Sequence, residues 1–200
     1  PMSMPCHLPS EKKIPIGYFG NSDTGKQKEL YRIGLAHRYG RKMQTVSGTH
    51  YNFSFSNDFW EMLQKEFAPD SDFQDFKTKA YFKIIRNFLR YSWINTYLFG
   101  ASPAIDRSYC KKSRRDLKRK GLSTCYGPYA TSLRMSKIGY YSKVQSQNAI
   151  SFNSLEEYLS DLEYCITTKS SKYEGLPGLN ENILQIENEH YSRIRPKQVL

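Results

Sequence analysis

The residues best suited to chemistry lie between Tyr31 and Arg134. The stretch Gln44 to Ser56 (QTVSGTHYNFSFS) is rich in Thr, Val, Tyr and Phe and free of proline, the composition of a β-strand. Alternate strand residues point to opposite faces, so Gln44, Val46, Gly48, His50 and Asn52 would share one face, and Thr45, Thr49, Tyr51, Phe53 and Phe55 the other. Two amides and an imidazole ranged about a glycine form either a solvated sheet surface or the floor of a ligand site. Gly48, without a side chain, tilts this towards close approach of a ligand or of backbone. The neutral imidazole of His50 can ligate a divalent cation or be satisfied by hydrogen bonds, and His7, His37 and His190 make no cluster with it in sequence.

A helix expected just before this strand, from about Asp23 to Met43 with Ser22 or Asp23 as its cap, places Tyr31 and Leu35 one turn apart with Arg32 beside them. That patch is either core or the rim of a pocket for a small amphipathic molecule. Arg134, in PYATSLRMSKIGYY, offers a fork of donors matched to a carboxylate, with a plain surface arginine as the alternative.

These groups need a scaffold. Asp58 to Phe67 reads as a short helix and Asp70 to Tyr97 as a long one, whose Phe73, Phe76, Ala80, Ile84 and Phe88 form a core stripe flanked by Tyr81, Ile85, Leu89 and Trp93. LFGASPA breaks it. Ser154 to Thr167 reads as an amphipathic helix with a Ser154/Glu157 capping box and Leu155, Tyr158, Leu159, Leu162 and Ile166 on one face. Ile183 to Ile186 is a candidate strand, and Arg193 to Lys197 approaches Pro196 extended. The mixture is α+β with antiparallel pairing.

A chain of 200 residues, 38% hydrophobic and 14% aromatic, can bury a real core and fits one domain or part of a larger one. It lacks both a signal-peptide layout and an apolar run of roughly 18 to 20 residues, so a soluble, cytoplasmic protein without a membrane partner is expected. The chain begins at Pro1 in a loop-like stretch, and a start further upstream is expected. Cys6, Cys110, Cys125 and Cys165 form no CxxC pair, so reduced thiols without a zinc site are expected. The net charge of +11 owes more than half to one run, Lys111 to Lys120 (KKSRRDLKRK), with seven basic residues and one acidic. Without interleaved aromatics that run reads as a solvated loop; the alternative is a basic module binding nucleic acid or another polyanion.

The run LYRIGLAHRYGRKMQTVSGTHYNFS (Leu30 to Ser54) closely resembles the signature region of the proteobacterial-type glutamate–cysteine ligases. SMPC, YLFGASPA, PYATSLRMS with GY following, LQIENEHY and IRPK agree in order, so the resemblance covers nearly the whole chain. It implies a glutamine-synthetase-like carboxylate–amine ligase fold, with a curved antiparallel sheet and packed helices, of which residues 1 to 200 form an internal part of a single catalytic domain. The implied reaction is the first step of glutathione synthesis: ATP phosphorylates the γ-carboxylate of glutamate and the amine of cysteine displaces phosphate. ATP, glutamate, cysteine and magnesium (or manganese) are the implied ligands, with no nucleic acid. The resemblance makes His50 a metal ligand, sets Gln44, Val46 and Arg134 around glutamate and Tyr31, Leu35 and Tyr140 around cysteine, and puts Arg32 beside a substrate carboxylate or the transferred phosphate. Val46 stands where isoleucine is expected, one methylene shorter. The acidic metal ligands fall outside the matched region, so these 200 residues alone are expected to be inactive.

Overall fold

The computed structural model describes residues 4–48, 50–110, 116–139, 144–175, 181–184, 190 and 192–196. Four helices carry most of the regular structure: α1 (Asp23–Tyr39), α2 (Asn57–Phe67), α3 (Phe73–Phe99) and α4 (Leu155–Thr167). Each begins at a side chain that satisfies an otherwise orphaned N–H. Ser22 accepts from Gly25, Ser56 from Phe59, Asp72 from Asp75 and Ser154 from Glu157. α1 stops at Tyr39, short of Met43, because Gly40 takes a positive φ of 87° that turns the chain out of the helix. The capping box at Ser154 is only half formed. Glu157 reaches past the cap instead, accepting from Ser151 Oγ at 2.5 Å and from Asn153 Nδ2 at 3.1 Å.

A three-stranded antiparallel sheet follows α3: β1 (Ala104–Asp106), β2 (Lys118–Lys120) and β3 (Thr124–Tyr126), in the order β1-β3-β2. Cys125 sits opposite both Ile105 and Arg119 in register. The inward pair Ile105 and Cys125, with Met4, Tyr109 and Leu133, builds one apolar cluster. β2 is fully exposed at the edge, and its Lys-Arg-Lys sequence blocks pairing with a further strand. The basic run thus ends in an exposed edge strand rather than being wholly a loop; residues 111–115 lie outside the described ones. Cys110 and Cys125 are joined as a disulfide across this region, with Cα atoms 6.9 Å apart, so the expectation of four reduced thiols holds only for Cys6 and Cys165.

The expected strand over 44–56 does not form. Met43–Thr45 is a 3-10 turn, and among the described residues from 46 to 56 none belongs to a strand. Strand composition needs a partner ladder, and side chains serve this backbone instead: Arg134 takes the Ser47 carbonyl, and the Phe55 N–H donates to Tyr81 Oη at 3.1 Å. Alternation nevertheless survives from 51 to 55, where Tyr51, Phe53 and Phe55 stand ring to ring at 6.4 and 4.6 Å. Of the candidate strand 183–186, Ile183 and Leu184 are buried against Cys165 without joining a strand, and 185 and 186 are outside the described residues. Arg193 to Pro196 lacks regular structure, and Lys197 falls outside the described residues.

The α2–α3 corner is aromatic. Trp60, 2% exposed, meets Phe55, Phe59 and Tyr81 at centroid distances of 5.3, 5.4 and 4.8 Å, and its indole N–H donates to Tyr81 Oη at 3.3 Å. Phe82 packs on Tyr158 of α4. The buried residues of α3 are Phe82, Ile85 and Ser92, while Ile84 of the expected core stripe and the flanking Trp93 are exposed. On α4 the buried residues are Tyr158 and Cys165, with Leu155, Leu159 and Ile166 outward. Trp60→Ala is expected to cost about 3–5 kcal/mol, and Trp60→Phe about 1 kcal/mol or more, the lost hydrogen bond included; urea denaturation of the two variants measures both, and a Trp60→Phe protein as stable as the parent would refute the indole's polar role.

Candidate functional site

Arg134 is positioned from beneath. It occupies the 3-10 turn Leu133–Met135, whose Leu133 is 5% exposed within the apolar cluster and donates its N–H to the Ser102 carbonyl at 2.7 Å. A parallel bridge between Ser102 and Ser132 fixes the same approach. Gly100 permits it: any Cβ there would collide with the carbonyl of Thr131. The end of α3 and the turn bearing Arg134 are thus locked together.

From that turn the guanidinium reaches residues 47 and 48. Nε donates to the Ser47 carbonyl at 2.7 Å, and Nη1 meets Met135 Sδ at 3.1 Å. A Cβ at position 48 would overlap Nη2 and Cζ. The space that Gly48 leaves open is therefore taken by a protein guanidinium. Both polar neighbours of Arg134 are uncharged, and the ion pairs among the described residues lie elsewhere, Lys79 with Asp75 and Lys169 with Glu181. Arg134 keeps its positive charge available to an anion. A second guanidinium stands close by, since Arg193 Nη2 donates to the Met135 carbonyl at 3.4 Å.

The other wall comes from α1. Leu35 is 3% exposed and so belongs to the core, while Tyr31 one turn earlier is half-buried. Arg32 is exposed, with Cζ 5.8 Å from the Tyr31 ring centroid. Gln44 Nε2 donates to the Arg32 carbonyl at 3.0 Å and ties the 43–45 turn to α1. Thr45 Oγ1 shares a 2.7 Å hydrogen bond with Tyr109 Oη. Burial raises the Tyr109 phenol above its ordinary pKa, the bond to Thr45 opposing it, so the group stays neutral near pH 7. Val46 is half-buried against the apolar cluster.

Gln44, Val46 and Arg134 thus meet at the 43–48 segment, although not by strand alternation, while Tyr31 and Leu35 stand on α1, the helix that Gln44 contacts. Gln44 turns to α1, Val46 to the core, and Ser47 and Gly48 to Arg134. His50 is exposed with no hydrogen bond or ion pair to any of them among the described residues, and Tyr140 lies outside those residues. Sequence reasoning missed the Ser47 carbonyl and the Thr45–Tyr109 bond; a backbone acceptor leaves no residue-type signal, and Gly48 alone marked the spot. Among the described residues no group of three or more His, Cys, Asp or Glu side chains comes together to hold a metal ion.

Comparison with known proteins gives a consistent picture. A family profile described as glutamate-cysteine ligase matches residues 1–200. The glutamate–cysteine ligase of Alcanivorax borkumensis is 45% identical over 99% of this chain and 40% of its own length. The crystal structure of the Francisella tularensis glutamate–cysteine ligase in complex with AMP superposes with a TM-score of 0.84 at 37% identity, over 99% of this chain and 40% of that one. A bifunctional glutathione synthetase from Pasteurella multocida follows with a TM-score of 0.65 and 33% identity, over 85% of this chain and 20% of that one. The chain thus spans about two-fifths of the relatives of single activity.

The close seat at Gly48 predicts non-additive energetics. Gly48→Ala is expected to destabilise by about 1–3 kcal/mol because the guanidinium must move. Combined with Arg134→Ala, which removes the obstacle, the same substitution should cost at least about 0.5 kcal/mol less. Denaturant titration of the four proteins closes the cycle, and additive losses would contradict the packing described.

Proposed function

The chain belongs to the glutamate–cysteine ligase family, and on that footing we propose that it forms the amino-acid-binding wall of an enzyme joining the γ-carboxylate of glutamate to the amine of cysteine at the expense of ATP. The α+β architecture, with four helices and a three-stranded antiparallel sheet, is compatible with that family's solved members. The AMP bound to the Francisella relative supports nucleotide use.

The reaction divides into two balanced steps. An oxygen of the γ-carboxylate attacks the terminal phosphorus of ATP, and ADP leaves. The nitrogen of cysteine then attacks the acyl carbon of the γ-glutamyl phosphate, the C–O bond to phosphate breaks, and the amine proton passes to solvent. The observation that carries the reading is the Arg134 guanidinium seated on Ser47 and Gly48 with no carboxylate partner among the described residues. In this reading it holds a glutamate carboxylate; Gln44 and Val46 line the same moiety, and Tyr31, Leu35 and Tyr140 border the cysteine portion. Arg32, exposed beside Tyr31, meets a substrate carboxylate or the transferred phosphate.

Magnesium does not fit the described residues as a complete site. Of the site residues His50 alone offers an imidazole, whereas a hard cation takes about six oxygen ligands. His50 is proposed as one ligand of a set completed by polypeptide beyond these residues, and the 200 residues by themselves are proposed to be inactive.

In a full-length ligase carrying these residues, Arg134→Ala or His50→Ala is expected to lower ATP-dependent γ-glutamylcysteine formation by roughly 100-fold or more. Neutralising Lys111, Lys112, Arg114, Arg115, Lys118, Arg119 and Lys120 together should change it less than about twofold. The opposite pattern, with salt-sensitive polyanion binding lost from the neutralised run, would replace this reading by a binding module.

A further inference from the structure

A second guanidinium shares the turn that carries Arg134. Arg193, from a segment without regular structure, reaches the next residue along: its Nη2 donates to the Met135 carbonyl at 3.4 Å, while its Nη1 donates to Ser92 Oγ of α3 at 3.5 Å. Ser92 is a fitted acceptor, 6% exposed, with its own hydroxyl proton given to the Leu89 carbonyl at 3.3 Å. Arg193 is thus tied on one side to the long helix and on the other to the Arg134 turn, and it remains exposed. Two of the guanidinium's five N–H donors are used in this way. The others are left for a ligand, and because both acceptors are uncharged, the positive charge is uncompensated among the described residues.

Met135 separates the two cations. Its Sδ lies against Arg134 Nη1 at 3.1 Å and its carbonyl against Arg193 Nη2, so these two nitrogens stand no more than about 13 Å apart. A small molecule with two carboxylates can bridge that span. In a γ-linked glutamyl dipeptide the two α-carboxylate carbons are roughly 9 Å apart when extended, and a charge-assisted N–H···O bond adds about 3 Å at either end. The roles of the two arginines follow from their neighbours. Arg134 sits on Ser47 and Gly48, next to Gln44 and Val46, which line glutamate in the proposed reading. Arg193 has no hydrogen bond to that segment among the described residues and meets the turn from α3. The chain beyond the turn comes back to the same place, since a Cβ at Gly139 would overlap the Arg134 carbonyl, and the next residue is Tyr140, assigned to the cysteine portion.

We infer that Arg193 binds the carboxylate of the second amino acid, so that Arg134 and Arg193 hold the two α-carboxylates of the nascent dipeptide across Met135. The inference deepens the ligase reading and rests on it. It makes Arg193 a specificity-determining residue, selecting an amino acid as acceptor over an amine that has no carboxylate.

A comparison of acceptors tests this in a full-length glutamate–cysteine ligase carrying these residues, with ATP and glutamate saturating. The acceptors are cysteine and cysteamine, the same aminothiol without its carboxylate, and the readout is the ratio of their kcat/KM values. Measured on one preparation, that ratio does not depend on how much of the protein is folded. Arg193→Ala is expected to lower the preference for cysteine by roughly 10- to 100-fold, the contribution of a hydrogen bond to a charged group, with KM rising for cysteine rather than for glutamate. Arg193→Lys, which keeps the charge without the fork, should restore part of the preference. Equal losses with both acceptors leave the ratio unchanged, mark a structural tether and overturn the inference. A ratio that collapses in Arg32→Ala but not in Arg193→Ala gives the carboxylate to Arg32 and overturns it as well, as does an active parent with no preference for cysteine. A parent that forms no product with either acceptor rejects the ligase reading itself, and the inference with it.

Discussion

The hydrogen bond from Arg134 to the Ser47 carbonyl joins two stretches of chain 87 residues apart and determines where the Arg134 cation sits. It is made possible by an absence, since any side chain at position 48 would occupy the volume of the guanidinium. The acceptor is a neutral carbonyl, so the bond orients the arginine without cancelling its charge. An arginine paired with a carboxylate would be held as firmly but would offer an incoming anion far less attraction.

That bond depends in turn on elements with no chemistry of their own. Leu133 is anchored in the cluster built on β1 and β3, and the Leu133 N–H to Ser102 carbonyl bond sets the turn that carries Arg134. On the opposite side, Gln44 and the Arg32 carbonyl couple the 43–45 turn to α1, and Thr45 couples it to Tyr109. The site is a convergence of α1, the 43–48 segment and the turn at 133–135, each held by backbone acceptors. Such a framework tolerates variation in side chains better than in backbone path, because the acceptors belong to every residue type.

The distribution of apolar surface follows the same logic at larger scale. The helices satisfy their own backbone, so α2, α3 and α4 form with caps and internal bonds even where one face finds no cover. A strand cannot do this. Between 46 and 56 the composition is that of a strand, the alternation of Tyr51, Phe53 and Phe55 is that of a strand, and yet no ladder forms because no partner strand lies alongside among the described residues.

From the residues alone one reads the four helices to within a few positions, the Ser22 and Ser154 caps, the break after α3, the exposure of Lys118 to Lys120 and, through its motifs, the family. These are local properties: capping, helical periodicity and turn chemistry act over a handful of neighbours and leave their mark in residue order. Tertiary structure decided which face of α3 is buried, that Cys110 lies against Cys125, that Lys118 to Lys120 pairs as an edge strand, and that Gly48 makes room for Arg134 rather than directly for a ligand. Each of those depends on a partner distant in sequence, and a backbone carbonyl such as that of Ser47 is the same in every residue, so its role becomes visible only once the chain has folded around it.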